Sequence, residues 1–249
     1  MIVGEQKPLK EIKGSLGDAA NVLVAGCGTC VTVCLAGGEK EAQLLASSLR
    51  ISTRLDGSAR MVTDATVQRQ CEWEYLETIR PQVEGADVVV SIACGIGVQA
   101  MVRHYPHKWV VPGLNTTFLG LPEGQGIWTE QSQACGNCML GQTGGICPVA
   151  RCSKQVQNGP CGGSENGLCE VKRVKREQGV PVMKTDARGK QVAVTEDVDC
   201  AWHLIYERLK AMNRLDLILG VQGPKDWSTS RDGGPRRIVR EDLLLMDEG

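Results

Sequence analysis

Six of the twelve cysteines in this 249-residue chain lie in one short stretch, residues 135–170. The stretch is polar and rich in glycine, so it cannot bury enough apolar surface to offset the entropy of ordering its backbone. Disulfides or a metal centre would have to cross-link it. The six thiols are Cys135, Cys138, Cys147, Cys152, Cys161 and Cys169.

The N-terminal sequence favours a metal centre over disulfides. From Met1 onwards the chain shows no charged n-region followed by an apolar h-region, so a secretory signal is not predicted and a cytoplasmic location is expected. In a reducing cytosol, clustered cysteines bind metals more often than they form disulfides.

The spacing of these six thiols favours an iron–sulfur cluster over structural zinc. A single C-x2-C pair lacks the second pair, or the paired histidines, that zinc sites use, and Cys147-Pro148 is typical of ferredoxin-type cluster motifs. All-thiolate sites suit both metals, so zinc stays open as the alternative. The first choice of ligands is Cys135, Cys138, Cys147 and Cys152, with Cys161 and Cys169 as further candidates.

A second cysteine group follows the first predicted strand. Residues 21–25 form an apolar run that ends at Gly26, and the loop after it carries Cys27, Cys30 and Cys34 in C-x2-C-x3-C spacing. Three thiols on one loop are poorly explained as packing residues. The spacing therefore predicts metal ligands.

Cys94 follows residues 87–93, the clearest predicted strand of the chain. Ligand sites in open parallel sheets lie at the carboxyl ends of the strands, so Cys94 is expected to join the triplet in a four-thiol cluster site. The alternative for Cys94 is a small buried hydrophobe. Cys71 and Cys200 have no partner at ligand spacing and are expected to be core residues.

Strands alternate with helices in the first half of the chain, which predicts an α/β fold. We expect a small parallel-sheet, Rossmann-like N-terminal domain, then a loop-rich cysteine cluster module and a C-terminal helix. The strands are predicted at 21–25, 59–63, 87–93 and 108–113, and the helices at 39–50, 70–83, 98–104 and 195–213.

Residues 114–134 are rich in Gly, Pro and polar side chains, which predicts a connector with a domain boundary near Pro122. A tail ordered by a partner, or not ordered, is expected at the C terminus. The predicted parts are an α/β domain with a first cluster site at 1–122, a cysteine-rich module at 123–175, a helical segment at 176–219 and an extended tail at 220–249.

Composition excludes several classes of function. Twenty-eight basic and twenty-nine acidic residues leave the chain nearly neutral, which gives no reason to expect nucleic acid as a partner. No apolar run reaches the roughly 20 residues that span a bilayer. The glycine turns near Cys27 and Cys94 match a dinucleotide-binding motif only in part, and no acid–base pair is evident. No catalytic residue is predicted.

The block CGNCMLGQTGGICPVARCSKQVQNGPCGG, with LCEV after it, resembles the cysteine-rich domain associated with methylenetetrahydrofolate reductases. With the additional CGTCVTVC segment, the chain resembles the separate small subunit of the acetogen-type enzymes over most of residues 1–212. The resemblance implies a zinc- or iron–sulfur-containing partner of a flavoprotein that reduces methylenetetrahydrofolate to methyltetrahydrofolate in the Wood–Ljungdahl pathway.

The expected function is therefore electron transfer to a partner. Two [4Fe-4S] clusters, one of the two sites being open to zinc, would carry electrons from ferredoxin or a larger electron-input complex to FAD on the catalytic subunit. The alternative is a structural zinc subunit that holds the reductase together without transferring electrons.

Overall fold

The computed structural model describes residues 1–177, 180–220, 223–228 and 235–239. The chain divides into two compact units, Met1–Glu130 and Gln131–Gly249. Among the helices of the described residues, none is long and apolar enough to cross a membrane. Most of the predicted tail lies outside the described residues, so the expectation for its order stays a prediction.

The N-terminal unit alternates strands and helices through most of its length. Its helices are α1 (Leu9–Gly14), α2 (Cys30–Val33), α3 (Glu39–Leu55), α4 (Trp73–Glu77), α5 (Arg80–Glu84) and α6 (Gly95–His104). Its strands are β1 (Ile2–Gln6), β2 (Asn21–Cys27), β3 (Met61–Val67), β4 (Val88–Ser91), β5 (Trp109–Pro112), β6 (Leu114–Gly124) and β7 (Ile127–Ser132), the last of which runs into the second unit.

Four of these strands form a parallel sheet in the order β3-β2-β4-β5. Alternate residues of β2 enter two different apolar cores, Val22 and Val24 on one face and Leu23 and Ala25 on the other. Helix α3 covers the first face, and α4, α5 and α6 cover the second. A fully buried Val or Leu contributes about 1.5–3 kcal/mol. The predictions of an α/β fold and of a parallel sheet buried on both faces are confirmed.

The prediction of one continuous helix at 70–83 is wrong, because this segment forms two short helices, α4 and α5. Pro81 occupies the first turn of α5, where its missing N–H costs nothing, but within one continuous helix it would remove a hydrogen bond and clash with the preceding turn. Between the end of β3 at Val67 and the start of α4 at Trp73 the chain is a loop. Cys71 lies in that loop and not at the start of a helix.

The prediction of an irregular connector at 114–134 is also wrong, because β6 and β7 form a hairpin there. Gly126 lies in its turn with a φ of 78°, a conformation that favours glycine. Strand β1 pairs antiparallel with β6, so the sheet order is β1-β6-β7. Both faces of β6 are largely exposed, which removes the apolar pattern by which a strand is recognised.

The C-terminal unit consists of very short elements around one helix. Its helices are α7 (Pro148–Arg151), α8 (Ala201–Ala211) and α9 (Asp216–Leu219). Its strands are β8 (Ser164–Glu165), β9 (Leu168–Cys169), β10 (Arg173–Val174), β11 (Arg176–Glu177), β12 (Val180–Pro181), β13 (Met183–Thr185), β14 (Gln191–Ala193) and β15 (Thr195–Glu196). They pair as β8-β9, β10-β15, β11-β12 and β13-β14.

Helix α8 begins at Ala201, later than predicted, because residues 195–196 pair as a strand. Trp202, Ile205 and Leu209, spaced three or four residues apart along α8, are buried and form the centre of a small apolar core. Met212 is exposed. Most of the described part of this unit lies outside this core.

Acid is expected to destabilise the N-terminal unit through Glu77 of α4. The Arg80 guanidinium donates to this carboxylate over 2.7 Å, and with a second contact from His104 it lowers the pKa of Glu77 from 4.5 to about 2. Because folding favours the charged carboxylate, this stabilisation is present above pH about 4.5 and is lost as the pH falls towards 2.

A Glu77→Gln variant should therefore show a shallower fall of melting temperature between these two pH values than the original protein. Thermal unfolding followed by circular dichroism at a series of pH values measures this slope. Glu74→Gln, an exposed glutamate of the same helix, is the matched control. Equal slopes in all three proteins would contradict the assignment.

Candidate metal centres

Four cysteines of the N-terminal unit line one pocket at the carboxyl edge of the parallel sheet. Cys27 is the last residue of β2, and Cys94 follows β4, the strand beside it. With Cys30 and Cys71 they surround a space of about 160 Å³. The structure thus brings together three of the four predicted thiols and adds Cys71 to them. We call this space the sheet-edge pocket.

Backbone hydrogen bonds fix the loops that present these thiols. The Cys27 N–H donates to Gly37 O over 2.9 Å and the Gly28 N–H to Val67 O over 2.9 Å, which ties the turn after β2 to its neighbours. Cys94 is the N-cap of α6, and its carbonyl accepts from the Val98 N–H at 3.1 Å. The positive end of the helix dipole therefore lies at Cys94.

Gln70 anchors the loop that carries Cys71. Its side chain is fully buried, and its amide nitrogen donates to Ala25 O over 2.8 Å and to Gly26 O over 3.0 Å. Its amide oxygen accepts from the Ser91 hydroxyl at 2.7 Å. One side chain thus joins the ends of β2 and β4 and holds the next residue, Cys71, at the pocket.

The interpretation of Cys71 as a core residue is wrong, because the residue is exposed. Partial burial raises the pKa of its thiol, and charge repulsion from Cys27 and Cys94 raises it further. The three thiols line the same pocket. The feature of the sequence that could have placed Cys71 near the pocket is the end of β3. This strand runs to Val67, four residues beyond its predicted end.

Cys34 lies away from the sheet-edge pocket. It is 7% exposed, its sulfur contacts Val31 O at 3.6 Å, and it packs in the core beneath β1. It lines a different space, with Phe118 and Trp128. Burial raises the pKa of its thiol. Cys34 is therefore the one predicted ligand of this unit that does not line the sheet-edge pocket.

Four cysteines of the C-terminal unit line a second, much smaller pocket of about 20 Å³. Cys152 follows α7, Cys161 lies in a loop, Cys169 ends β9, and Cys200 is the N-cap of α8. Four separate segments of chain therefore meet there. We call this space the module pocket.

Charged and polar groups surround the module pocket. Lys154 Nζ lies 3.7 Å from Cys161 Sγ, and Glu170 Oε1 lies 3.6 Å from the same sulfur. Lys154 and Glu170 also form an ion pair, which raises the pKa of Lys154 and lowers that of Glu170. The Val171 N–H donates to Cys169 Sγ over 3.4 Å. Lys154, Glu170 and the Val171 N–H therefore each contact a cysteine sulfur of this pocket.

The first-choice ligand set of the C-terminal module is not gathered in this pocket. Cys152 belongs to it, whereas Cys138 lines a different space with Lys225, and Cys135 and Cys147 are not among the residues that line the module pocket. Cys200, which was expected to be a core residue, is half-buried at the N-cap of α8 and packs against the small apolar core.

Across residues 1–177, 180–220, 223–228 and 235–239, no group of three Cys, His, Asp or Glu side chains stands ready to hold one metal ion. Four thiolates that bind a cluster stand at its outer corners, farther apart than around one ion. A single ion in the module pocket would have to draw the sulfur atoms inwards.

Residues 111–180 and 183–228 match a family model described as the C terminal of methylene-tetrahydrofolate reductase. The match includes every cysteine of the C-terminal unit and relates this part of the chain to these reductases. The sheet-edge pocket lies outside it. No curated protein and no solved structure matches the chain.

Proposed function

We propose that the chain is an iron–sulfur electron-transfer subunit of a methylenetetrahydrofolate reductase. It would partner an FAD-containing catalytic subunit and deliver electrons for the reduction of methylenetetrahydrofolate to methyltetrahydrofolate. The sheet-edge pocket, with four thiols converging on one cavity, is the observation that carries the proposal. The family match supports the choice of reductase.

The sheet-edge pocket fits a cluster in donor number and in size. Four thiolates are the ligand set of a [4Fe-4S] cluster. A space of about 160 Å³ is roughly ten times the 10–15 Å³ that one water-sized sphere needs, so it suits a group of several atoms better than a single ion. The proposed ligands are Cys27, Cys30, Cys71 and Cys94.

The surrounding residues suit a redox group. Ile2, Val31 and Ile96 line the pocket with apolar surface. The positive end of the α6 dipole lies at Cys94, beside the negative charge that a bound cluster would carry. A bound cluster would supply one-electron transfer at a potential that its apolar surroundings and this dipole adjust.

The electron donor and the second metal site are parts of the same proposal. Ferredoxin, or a larger electron-input complex, would feed the sheet-edge pocket, and the catalytic subunit would keep the folate chemistry. The sequence predicts a second cluster in the cysteine module, with zinc as the alternative. The small volume of the module pocket favours zinc there.

Replacing Cys94 with serine tests the electron-transfer role in the purified complex with its catalytic subunit. Ferredoxin-linked reduction of the folate should fall to near background, because a cluster that loses one of its four ligands is lost or altered. Reduction of the flavin by an artificial donor should stay unchanged. The matched control is Cys34→Ser, which should keep both activities.

Full ferredoxin-linked turnover by the Cys94→Ser complex would contradict the electron-transfer role. Iron measured on the same samples shows whether the cluster was lost. Turnover that persists without iron would identify a scaffold subunit instead.

A further inference from the structure

We propose that a groove on the N-terminal unit is the surface on which the FAD-containing catalytic subunit docks. The groove lies between the β1-β6-β7 sheet and the loop after α2, and it is lined, among others, by Glu5, Leu35, Phe118, Ile127 and Trp128. We call it the hairpin groove. The inference rests on the proposed function for the identity of the partner, and it assigns the contact surface that the proposed function leaves open.

The hairpin groove is large and bordered by aromatic and aliphatic side chains. Its space of about 560 Å³ is more than three times that of the sheet-edge pocket. Phe118 and Trp128 are half-buried, while Leu35 and Ile127 are 63% and 57% exposed. Exposed apolar surface around an aromatic-walled groove is typical of sites that receive the anchor side chains of a partner protein.

Leu35 is held in a strained conformation at the groove. Its φ is 54°, in the left-handed region that favours glycine and that a bulky side chain avoids. The Leu35 N–H donates to Thr32 O, the Ala36 N–H donates to Val31 O, and the Gln6 side chain donates to Ala36 O, each over 2.9 Å. Strained residues that a loop holds in this way cluster at binding sites. The loop therefore presents the leucine to a partner.

The hairpin groove adjoins the sheet-edge pocket. In β1, Ile2 lines the pocket and the next residue, Val3, lines the groove. In α2, Cys30 lines the pocket, and the loop that follows the helix lines the groove at Leu35. A protein seated in the groove lies next to the proposed cluster, where the flavin of a catalytic subunit has to be to receive electrons.

The surface of the groove suits a permanent subunit better than a transient electron donor, because interfaces of permanent complexes are larger and more apolar. Its one charged side chain is Glu5, which is exposed. Within the part of the chain that the structure describes, this carboxylate has no ion-pair partner. The docked segment should therefore present a large apolar side chain and, beside it, a basic one that pairs with Glu5.

Replacing Leu35 with glycine tests the groove in titrations of the full chain with its catalytic subunit. The affinity should fall about ten- to a hundredfold, as expected for the loss of one buried leucine. Glycine adopts a φ of 54° without strain, so the melting temperature should stay the same or rise, and the iron content should not change. Weaker binding by a variant at least as stable as the original protein cannot come from misfolding.

Leu55→Ala is the matched control, since Leu55 is 83% exposed at the end of α3 and does not line the groove. It should bind with the original affinity. Cys34→Ser should also bind normally, because Cys34 is 7% exposed and its sulfur contacts Val31 O. Glu5→Gln is a second, independent variant, which should weaken binding a few-fold and reduce its dependence on salt.

The original affinity in Leu35→Gly, or an equal loss in Leu55→Ala, would overturn the inference. A Leu35→Gly protein that loses stability together with affinity would do the same, because the leucine would then support the fold. A chain that is dimeric alone and monomeric as Leu35→Gly would place a second copy in the groove and would also overturn it.

The proposed function fails separately from the groove. If the original chain does not bind the catalytic subunit at all, the proposed partnership is wrong, and the groove loses its occupant with it. If the original chain binds and Leu35→Gly binds equally well, the partnership stands and only the groove is wrong.

Discussion

Replacing Cys71 with serine is expected to remove about four iron and four sulfide ions per chain, together with most of the visible absorbance. The structure places this thiol in the sheet-edge pocket with Cys27, Cys30 and Cys94. A serine hydroxyl is a poor substitute for the thiolate that iron–sulfur clusters use. Metal analysis and the visible spectrum of protein purified without oxygen measure the effect.

The matched variant is Cys34→Ser, which should keep the iron, the sulfide and the spectrum. Cys34 was expected from spacing to be one of the four ligands, but its sulfur lies in the core against Val31 O. If Cys34→Ser lost the cluster and Cys71→Ser kept it, the C-x2-C-x3-C triplet with Cys94 would be the ligand set. The assignment from the pocket would then be wrong.

Replacing Gln70 with leucine is expected to lower the free energy of unfolding by about 2–6 kcal/mol. The variant leaves the Gly26 carbonyl and the Ser91 hydroxyl without these buried hydrogen-bond partners, at about 1–3 kcal/mol for each group. Leucine has a similar volume, so loss of packing adds little. Denaturant unfolding of the metal-free protein measures the change.

The same variant should weaken iron binding, because Gln70 anchors the loop that presents Cys71. Gln82→Leu, an exposed glutamine of α5, is the matched control and should change stability by less than about 0.5 kcal/mol. A Gln70→Leu protein as stable as this control would show that the three hydrogen bonds do not hold the loop.

The sequence was sufficient for the parallel sheet and for most of the sheet-edge pocket. Apolar runs such as residues 87–93 identify buried strands, and the rule that ligand sites lie at their carboxyl ends brings Cys27 and Cys94 together. Cys71 was missed because it has no partner at ligand spacing and lies in a segment that was predicted to be helical. The exposed and half-buried positions of β3 hide its true end at Val67.

The C-terminal unit was less predictable for a physical reason. Its strands are too short to show an alternating pattern, so pairings such as Arg173 with Glu196 depend on contacts distant in sequence. Cys200 looked isolated because thirty residues separate it from Cys169, the nearest thiol of its pocket. Spacing rules find ligands that share a loop, and they miss those that the fold brings together from separate segments.

The measurement that tests the central claim most directly is the content of iron, acid-labile sulfide and zinc per chain in protein purified without oxygen. The account predicts about four iron, about four sulfide and about one zinc, with broad visible absorbance. About eight iron would keep the electron-transfer role and place a cluster in the module pocket. Zinc alone, without iron or sulfide, would contradict the account and identify a structural subunit.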